Sequence, residues 1–169
     1  KQVMEMGVSK EKCLSLFQEV SLPNPEKIFS SYPHQLSGGQ RQRVMIAMAL
    51  SCQPDILICD EPTTALDVTV QKTVLDLIKQ LQKKYNIGVI FITHDLGVVS
   101  QIADKVAVIY KGEIVEMANK EELFSNPKHP YTKGLIASRP PMDYRPKKLL
   151  TVSDFLSENN LQQDVETQS

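Results

Sequence analysis

Two short, unbroken apolar runs separated by one amphipathic stretch constrain the fold of this chain most. The strands predicted from these runs cover residues 55–59 and 88–93, and a long helix is predicted between them, from 68 to about 85. Continuous apolar runs of this length are typical of strands in a parallel sheet, and Asp67 is placed to cap the helix between them. Strand, helix and strand predict a right-handed crossover, so we expect an α/β fold.

The segments around this crossover predict a simple domain organisation. Residues 105–110 and 113–117, joined at Lys111-Gly112, predict a hairpin on the edge of the same sheet. Helices are expected near 120–125, before Asn126-Pro127-Lys128-His129-Pro130, and over 131–138. The expected regions are a helical subdomain at 1–52, part of an α/β core at 53–119, a helical extension at 120–139, and a Pro-rich linker or tail at 140–169.

Composition excludes several classes of protein. The 169 residues carry 19 basic and 20 acidic side chains, so charge gives no reason to expect nucleic acid or anionic lipid as a partner. Three cysteines without a C-x-x-C pair argue against a disulfide framework or a zinc site and favour a reducing cytosol. No apolar stretch approaches the ~20 residues that a membrane-spanning helix needs.

Ser37, Gly38 and Gly39 form a candidate anion site at the start of a predicted helix. A capping hydroxyl followed by two residues without side chains lets unpaired backbone N–H groups and the helix dipole approach an anion closely. A terminal phosphate would fit such a site. Taken alone, the same three residues also fit an ordinary helix cap and turn.

Asp60, Glu61 and His94 follow the two predicted strands, at the edge where parallel sheets bind their ligands. Because adjacent strand residues face opposite ways, we expect Asp60 and Glu61 to differ in role. Asp60 is assigned to Mg²⁺, through its water shell, and Glu61 to the attacking water as its orienting group or base. His94 could bond a terminal phosphate. Solvated loop carboxylates and an ordinary polar histidine are the alternatives for these residues taken singly.

One expected motif is absent from the sequence. No stretch reads G-x-x-x-x-G-K-[ST], the loop whose backbone N–H groups cradle nucleotide phosphates. Because the chain also begins at Lys1 without an initiator Met, we expect it to be a segment of a longer parent. The sequence therefore predicts about half of an active site.

The motifs together resemble the nucleotide-binding subunits of ABC transporters. They are Tyr32 to Arg43, Ile56 to Asp67 and Thr93-His94-Asp95. The resemblance implies the C-terminal part of a P-loop NTPase-like (RecA-like) parallel sheet with an N-terminal helical subdomain, and ATP and Mg²⁺ as cofactors. It makes residues 53–119 the C-terminal half of the ATPase core. It identifies Ser37, Gly38, Gly39 and Gln40 as the signature loop, Asp60 and Glu61 as the end of the Walker B strand, Asp67 as part of the D-loop, and His94 as the switch histidine.

In this family two such domains close head to tail, so that the signature loop of one completes the phosphate site of the other. The resemblance therefore implies a second ABC ATPase domain and transmembrane permease subunits as partners, at the cytoplasmic face of the membrane. Asn126-Pro127-Lys128-His129-Pro130-Tyr131-Thr132 resembles the C-terminal extension of the oligopeptide, dipeptide and nickel import branch. Some members of that branch hold an iron–sulfur cluster, but no cysteine follows Cys59, so we expect none here.

Three functions remain open at this point. The first is an ATP-hydrolysing subunit of a peptide-type importer, of which this chain is the C-terminal part. The second is an interaction or regulatory fragment that does not hydrolyse ATP by itself. The third is an ABC-type ATPase unconnected with transport, which the neutral charge and the His129-Pro130-Tyr131-Thr132 extension disfavour.

Overall fold

A computed structural model describes residues 9–138 of the chain. The chain divides into two compact units between His94 and Asp95. The predicted tail at 140–169 lies outside the described residues. The helices and strands, in chain order, are α1 (Lys10–Glu19), α2 (Pro25–Ser30), a 3₁₀ turn (Pro33–Gln35), α3 (Gly38–Ser51), β1 (Ile56–Asp60), α4 (Val68–Tyr85), β2 (Gly88–Ile92), α5 (Leu96–Ile102), β3 (Lys105–Tyr110), β4 (Glu113–Asn119), α6 (Lys120–Ser125) and α7 (Pro130–Ala137).

The first unit begins with the predicted helical segment. The Ser9 hydroxyl caps α1 by accepting a hydrogen bond from the Lys12 N–H, which gives one otherwise unsatisfied donor of the first turn an acceptor. α1 packs against α2 and α3. At its far end, Glu19 accepts a hydrogen bond from the Tyr85 hydroxyl and lies 3.1 Å from Lys84 Nζ. These polar contacts tie the end of α1 to the end of α4. The side chains that form the apolar interior of this segment are Cys13, Leu16, Phe17, Val20, Leu22, Ile28, Ile46, Ala47 and Leu50.

The predicted crossover forms as expected. β1 and β2 pair in parallel with Ile58 opposite Ile90, and Asp67 caps the connecting α4 by accepting from the Val70 N–H at 2.9 Å. One face of β1 is buried through Leu57 and Cys59, and burial raises the pKa of the Cys59 thiol to about 11. The residues of α4 that are buried are Val74, Leu75, Leu77, Ile78 and Leu81.

The other face of the β1–β2 pair is open, which the continuous apolar runs did not predict. Strands that read as unbroken apolar runs are usually covered on both faces. Here the side chains of one face are 46 to 64% exposed. They are Ile56, Ile58, Ile90 and Ile92. Among residues 9–138, therefore, only one face of the pair is packed, because no described element covers the second.

The predicted hairpin forms, but not where we expected it. β3 and β4 are antiparallel and joined by Lys111 and Gly112, whose φ angles of 50° and 86° match a two-residue turn that needs two positive φ values. This pair is a separate two-stranded sheet, so its predicted place on the edge of the β1–β2 sheet is wrong. The physical reason is that a hairpin satisfies its hydrogen-bond ladder locally, so strand pattern alone does not fix which edge it joins.

The second unit holds its C-terminal extension against the hairpin through one carboxylate. Glu116 on β4 accepts a hydrogen bond from the Lys128 N–H at 2.8 Å with one oxygen and from the His129 N–H at 2.9 Å with the other. Tyr131 stacks on Tyr110 at 4.2 Å between ring centroids. Burial raises the pKa of Glu116, but the hydrogen bonds it accepts outweigh this and leave that pKa below its ordinary value.

We expect Glu116→Gln to loosen the extension without unfolding the hairpin. An amide offers one acceptor oxygen instead of two, so one of the two backbone N–H groups loses its partner, at a cost of about 1–2 kcal/mol. The amide protons of Lys128 and His129 should then exchange faster with solvent, as measured by NMR hydrogen exchange. Glu113→Gln, at an exposed position on the same strand, should leave both rates unchanged. These two hydrogen bonds to the Glu116 carboxylate form the Glu116 clamp. Equal exchange rates of the Lys128 and His129 amide protons in Glu116→Gln and wild type would contradict it.

Candidate functional site

The parallel pairing of β1 and β2 brings the predicted polar residues to one edge of the sheet. Asp60, the last residue of β1, is in register with Ile92, the last residue of β2. The Glu61 N–H then donates to the Ile92 carbonyl at 3.0 Å, which extends the contact one residue beyond the strands. His94 follows two residues after Ile92. Asp60, Glu61 and His94 therefore converge at the carboxyl ends of the strands, as predicted.

The backbone turns sharply at Glu61. Its φ angle is +46°, a left-handed conformation that is uncommon for a residue other than glycine. The Thr64 N–H donates to the Glu61 carbonyl at 3.2 Å and closes the turn. Glu61 thus lies outside β1, so our expectation that strand alternation separates the roles of Asp60 and Glu61 used the wrong geometry. The turn, and not the pleat, gives the two carboxylates different surroundings.

Both oxygens of the Glu61 carboxylate are engaged. The Thr64 hydroxyl donates to Oε2 at 2.7 Å, while Oε1 lies 2.7 Å from His94 Nδ1 and accepts from the His94 N–H at 3.2 Å. The Thr64 hydroxyl first, and then the His94 imidazole, lower the pKa of Glu61 by hydrogen bonding to its charged form. The carboxylate is therefore ionised at neutral pH and held in a fixed orientation. Its side chain is 35% exposed, so water can reach it.

Asp60 is exposed at the end of β1. Within residues 9–138, no group of three or more His, Cys, Asp or Glu side chains is placed to hold a metal ion. Mg²⁺ does not need such a group, because it commonly keeps several waters and takes one or two carboxylates beside the phosphates of a nucleotide. One accessible carboxylate at this edge fits that pattern of coordination.

Ser37 and Gln40 form a reciprocal cap at the start of α3. The Gln40 N–H donates to Ser37 Oγ at 3.3 Å, and the Ser37 N–H donates to Gln40 Oε1 at 3.0 Å. This capping box fixes the direction in which the chain enters the helix. Gly38 and Gly39 lie in the first turn, where backbone N–H groups have no acceptor within the helix and the helix dipole is positive.

The structure places Asp67 and the glycines of the α3 cap in one neighbourhood. Asp67 is engaged as the cap of α4, the structural role that its position predicted. A Cβ built at Gly38 would meet Leu66, and one built at Gly39 would meet Val70. The cap of α3 therefore faces the segment that runs from Glu61 into α4.

Sequence reasoning missed two residues of this arrangement. Thr64 holds the Glu61 carboxylate, and its signal was present, since a hydroxyl three residues after a carboxylate in a tight turn can reach it. Val70 contacts the start of α3 across about thirty residues of sequence. No local pattern predicts such a contact.

Among residues 9–138, no helix is both long enough and apolar enough to cross a membrane.

Two known families match the sequence. The family described as "ABC transporter" matches residues 2–64, and the one described as "Oligopeptide/dipeptide transporter, C-terminal region" matches residues 115–159. The first match contains the α3 cap and the Glu61 turn, and the second contains Glu116 and the segment it binds. The first match thus includes Ser37 to Gln40, Asp60 and Glu61 of the candidate site but not Asp67 or His94, and the second includes the extension.

The curated relatives are ATP-binding proteins of importers and peptide transporters. The oligopeptide transport ATP-binding protein OppD of Lactococcus lactis subsp. cremoris is 56% identical over 147 residues, which are 87% of this chain and 41% of that protein. The dipeptide transport ATP-binding protein DppD of Bacillus subtilis is 50% identical, over 88% of this chain and 44% of that protein. The glutathione import ATP-binding protein GsiA of Escherichia coli K12 is 60% identical, over 81% of this chain and 23% of that protein. The chain thus spans less than half the length of these relatives.

Solved structures show the same fold. The ATP-binding cassette MJ0796, in a dimeric post-hydrolysis state bound to ADP and Pi, aligns with a TM-score of 0.58 and 31% identity over 67% of this chain and 49% of that one. The cbiO1 protein of Clostridium perfringens, part of an ABC transporter complex, aligns with a TM-score of 0.62 and 30% identity over 69% and 45%. The chain belongs to the ABC transporter ATP-binding family, and its P-loop NTPase-like α/β fold is that of the family's cassettes.

Proposed function

We propose that this chain is the C-terminal part of an ATP-hydrolysing subunit that powers an ABC importer of peptides. The observation that carries the proposal is the Glu61 carboxylate, ionised, oriented by Thr64 and His94, and open to water at the carboxyl edge of the sheet. The relatives named for oligopeptide and dipeptide transport support the substrate class. The match of residues 115–159 to the transporter C-terminal region supports the same branch.

The geometry favours a particular role for Glu61. A carboxylate whose pKa is lowered accepts a proton less readily than an ordinary one, but it stays charged and accepts hydrogen bonds well. Glu61 would therefore orient the attacking water through a hydrogen bond that the carboxylate accepts from it. His94 holds the same carboxylate and would bring it into line with a terminal phosphate.

The remaining site residues would act on the nucleotide. Asp60 would hold Mg²⁺ through its water shell, and the ion when bound would neutralise charge on the phosphate oxygens. Ser37, Gly38, Gly39 and Gln40 would present the positive end of α3 to a phosphate, with Asp67 at the adjoining loop. The proposed partners are a second ABC ATPase domain and transmembrane permease subunits, at the cytoplasmic face of the membrane.

A second candidate applies to the chain taken alone. The open face formed by Ile56, Ile58, Ile90 and Ile92 is a surface that a further segment of a longer protein would cover. The sequence contains no G-x-x-x-x-G-K-[ST] loop. By itself the chain would then act as an interaction fragment, and hydrolysis would require the longer subunit.

We expect Mg-ATP to show no binding to the isolated chain at concentrations up to the millimolar range. The reason is that a capped helix start alone offers few donors to a triphosphate, whereas nucleotide-binding loops supply several N–H groups and a lysine. Isothermal titration calorimetry measures this directly, with the longer subunit as the control that should bind. A saturable heat of binding from the isolated chain would contradict the proposal that nucleotide binding requires the longer subunit.

In the longer subunit, assembled with its permease, Glu61→Gln should cut ATP turnover by about 10²- to 10⁴-fold, the range found for a side chain positioned on a reacting proton. ATP binding should remain, because the amide keeps the shape of the side chain and one acceptor for the Thr64 hydroxyl. Steady-state hydrolysis and equilibrium nucleotide binding test the two parts. Glu113→Gln, on the exposed hairpin, is the control. Turnover that is equal in both variants would remove Glu61 from its role.

Thr64→Val should raise the pKa of Glu61 toward that of an ordinary glutamate. The substitution keeps the branched shape of Thr64 but removes the hydroxyl that contributes most to the lowered pKa. Because a lowered pKa stabilises the fold above the unfolded-state pKa and this contribution is lost as the pH falls through the folded-state pKa, the variant should lose less stability on acidification. NMR titration of the Glu61 side-chain carboxyl carbon measures the shift. Thr69→Val, at an exposed position, should leave that titration unchanged.

A further inference from the structure

The absence of a side chain at Gly39 has a reason within the chain itself. A Cβ built on its backbone would lie 2.6 Å from Val70 Cγ1, closer than real Cβ contacts. The Cβ of Val70 is 3.9 Å from the same point, an ordinary contact distance. At Gly38 the corresponding contact is 3.2 Å to Leu66 Cδ2, the end of a longer and more flexible side chain. The start of α3 thus packs closely against Leu66 and Val70, and the contact with Val70 is the tighter of the two. We call this contact the Val70 seat.

Val70 cannot move aside easily. It lies in the first turn of α4, where a β-branched side chain has one strongly preferred rotamer. Its N–H donates to the Asp67 carboxylate at 2.9 Å, so the helix cap also fixes its backbone. Val70 is half-buried, which limits the space into which a displaced methyl group could turn.

Short-range hydrogen bonds link Leu66 and Val70, the residues that α3 contacts, to the Glu61 turn. The Thr64 N–H donates to the Glu61 carbonyl at 3.2 Å, and the Leu66 N–H donates to the Thr63 carbonyl at 3.2 Å. Thr63 is 7% exposed, so this segment is anchored in the interior. From Glu61 to Leu66 the backbone is therefore two closed turns, which lead through the Asp67 cap into α4, where Val70 contacts Gly39.

We propose that Val70, with Leu66, is a positioning residue that fixes the Ser37–Gln40 loop to the turn carrying Glu61. Displacing this contact would move the start of α3, which would face a phosphate held by the partner domain, relative to the Glu61 turn, which would serve the nucleotide of this domain; the contact would therefore link the two sites. The inference deepens the proposed function and rests on the ATPase role given there to Glu61 and the α3 cap. It assigns to Gly39 a packing requirement in addition to any close approach of a phosphate.

The two explanations of Gly39 make opposite predictions for a compensating substitution. If only a phosphate required the space at Gly39, a change at Val70 could not restore function lost in Gly39→Ala. If Val70 requires the space, Val70→Ala removes the clashing methyl group and leaves its Cβ at 3.9 Å from the added one. Restoration of turnover by the second substitution, at a position distant in sequence but in contact with Gly39, therefore discriminates between the two explanations.

The test uses the longer subunit in its transport complex, with ATP turnover and the thermal midpoint measured for each variant. Gly39→Ala should lower kcat by about 10- to 100-fold, since a misplacement near 1 Å of positioned groups can cost ~10²-fold. Gly39→Ala combined with Val70→Ala should recover to about the kcat of Val70→Ala alone. Gly39→Ala combined with Val68→Ala should not, because Val68 is on the same helix but 84% exposed. Failure of the Val70 combination to regain turnover would overturn the proposal.

Two further measurements separate the possible failures. If Gly39→Ala yields no folded protein, Val70→Ala alone decides, because it should lower kcat by about threefold or more while KM for ATP changes less than about twofold. An unchanged kcat in that variant overturns the proposal. If the wild-type subunit does not hydrolyse ATP, the proposed function fails. The thermal midpoint alone then tests whether Val70 packs against Gly39. Gly39→Ala should lower that midpoint, the Val70 combination should restore it, and the absence of restoration overturns the seat.

Discussion

The parallel pairing of β1 with β2 is the constraint on which the candidate site depends. It places the ends of the two strands in register, so that the residues after them emerge side by side. The hydrogen bond from the Glu61 N–H to the Ile92 carbonyl continues this pairing past the last strand residue. Without that step the Glu61 carboxylate would have no reason to meet His94, which is thirty-three residues further along the chain. A sheet that is open on one face still fixes this edge accurately.

Several residues of the site serve the fold and the chemistry with the same atoms. Ser37 and Gln40 satisfy each other's backbone N–H groups, and in doing so they hold the positive end of α3 in place. Asp67 caps α4 and thereby also fixes Val70. A substitution at any of these positions would change local helix stability and site geometry together. Loss of function at such residues does not by itself separate binding from folding, whereas a matched second-site change does.

Features that depend on local sequence were predictable. The crossover strands, the caps by Ser37 and Asp67, and the Lys111-Gly112 turn all follow from spacing and turn chemistry. The convergence of Asp60, Glu61 and His94 followed from the parallel topology. The separate hairpin sheet, the left-handed turn at Glu61 and the Val70 seat did not, because each depends on contacts between distant segments or on a backbone angle that residue type disfavours. The roles of the site residues toward ATP and Mg²⁺ stay predictions.

The Glu116 clamp has a consequence for how the extension can vary between relatives. Its two bonds go to backbone N–H groups, which every residue except proline possesses. The clamp therefore places few demands on the side chains at positions 128 and 129 and a strict one on the carboxylate of β4. Substitutions at these two positions would keep the attachment to the hairpin and would give up only the Lys128–Glu122 ion pair or the His129 cap of α7. The extension can in this way acquire new surface chemistry without losing its place in the fold.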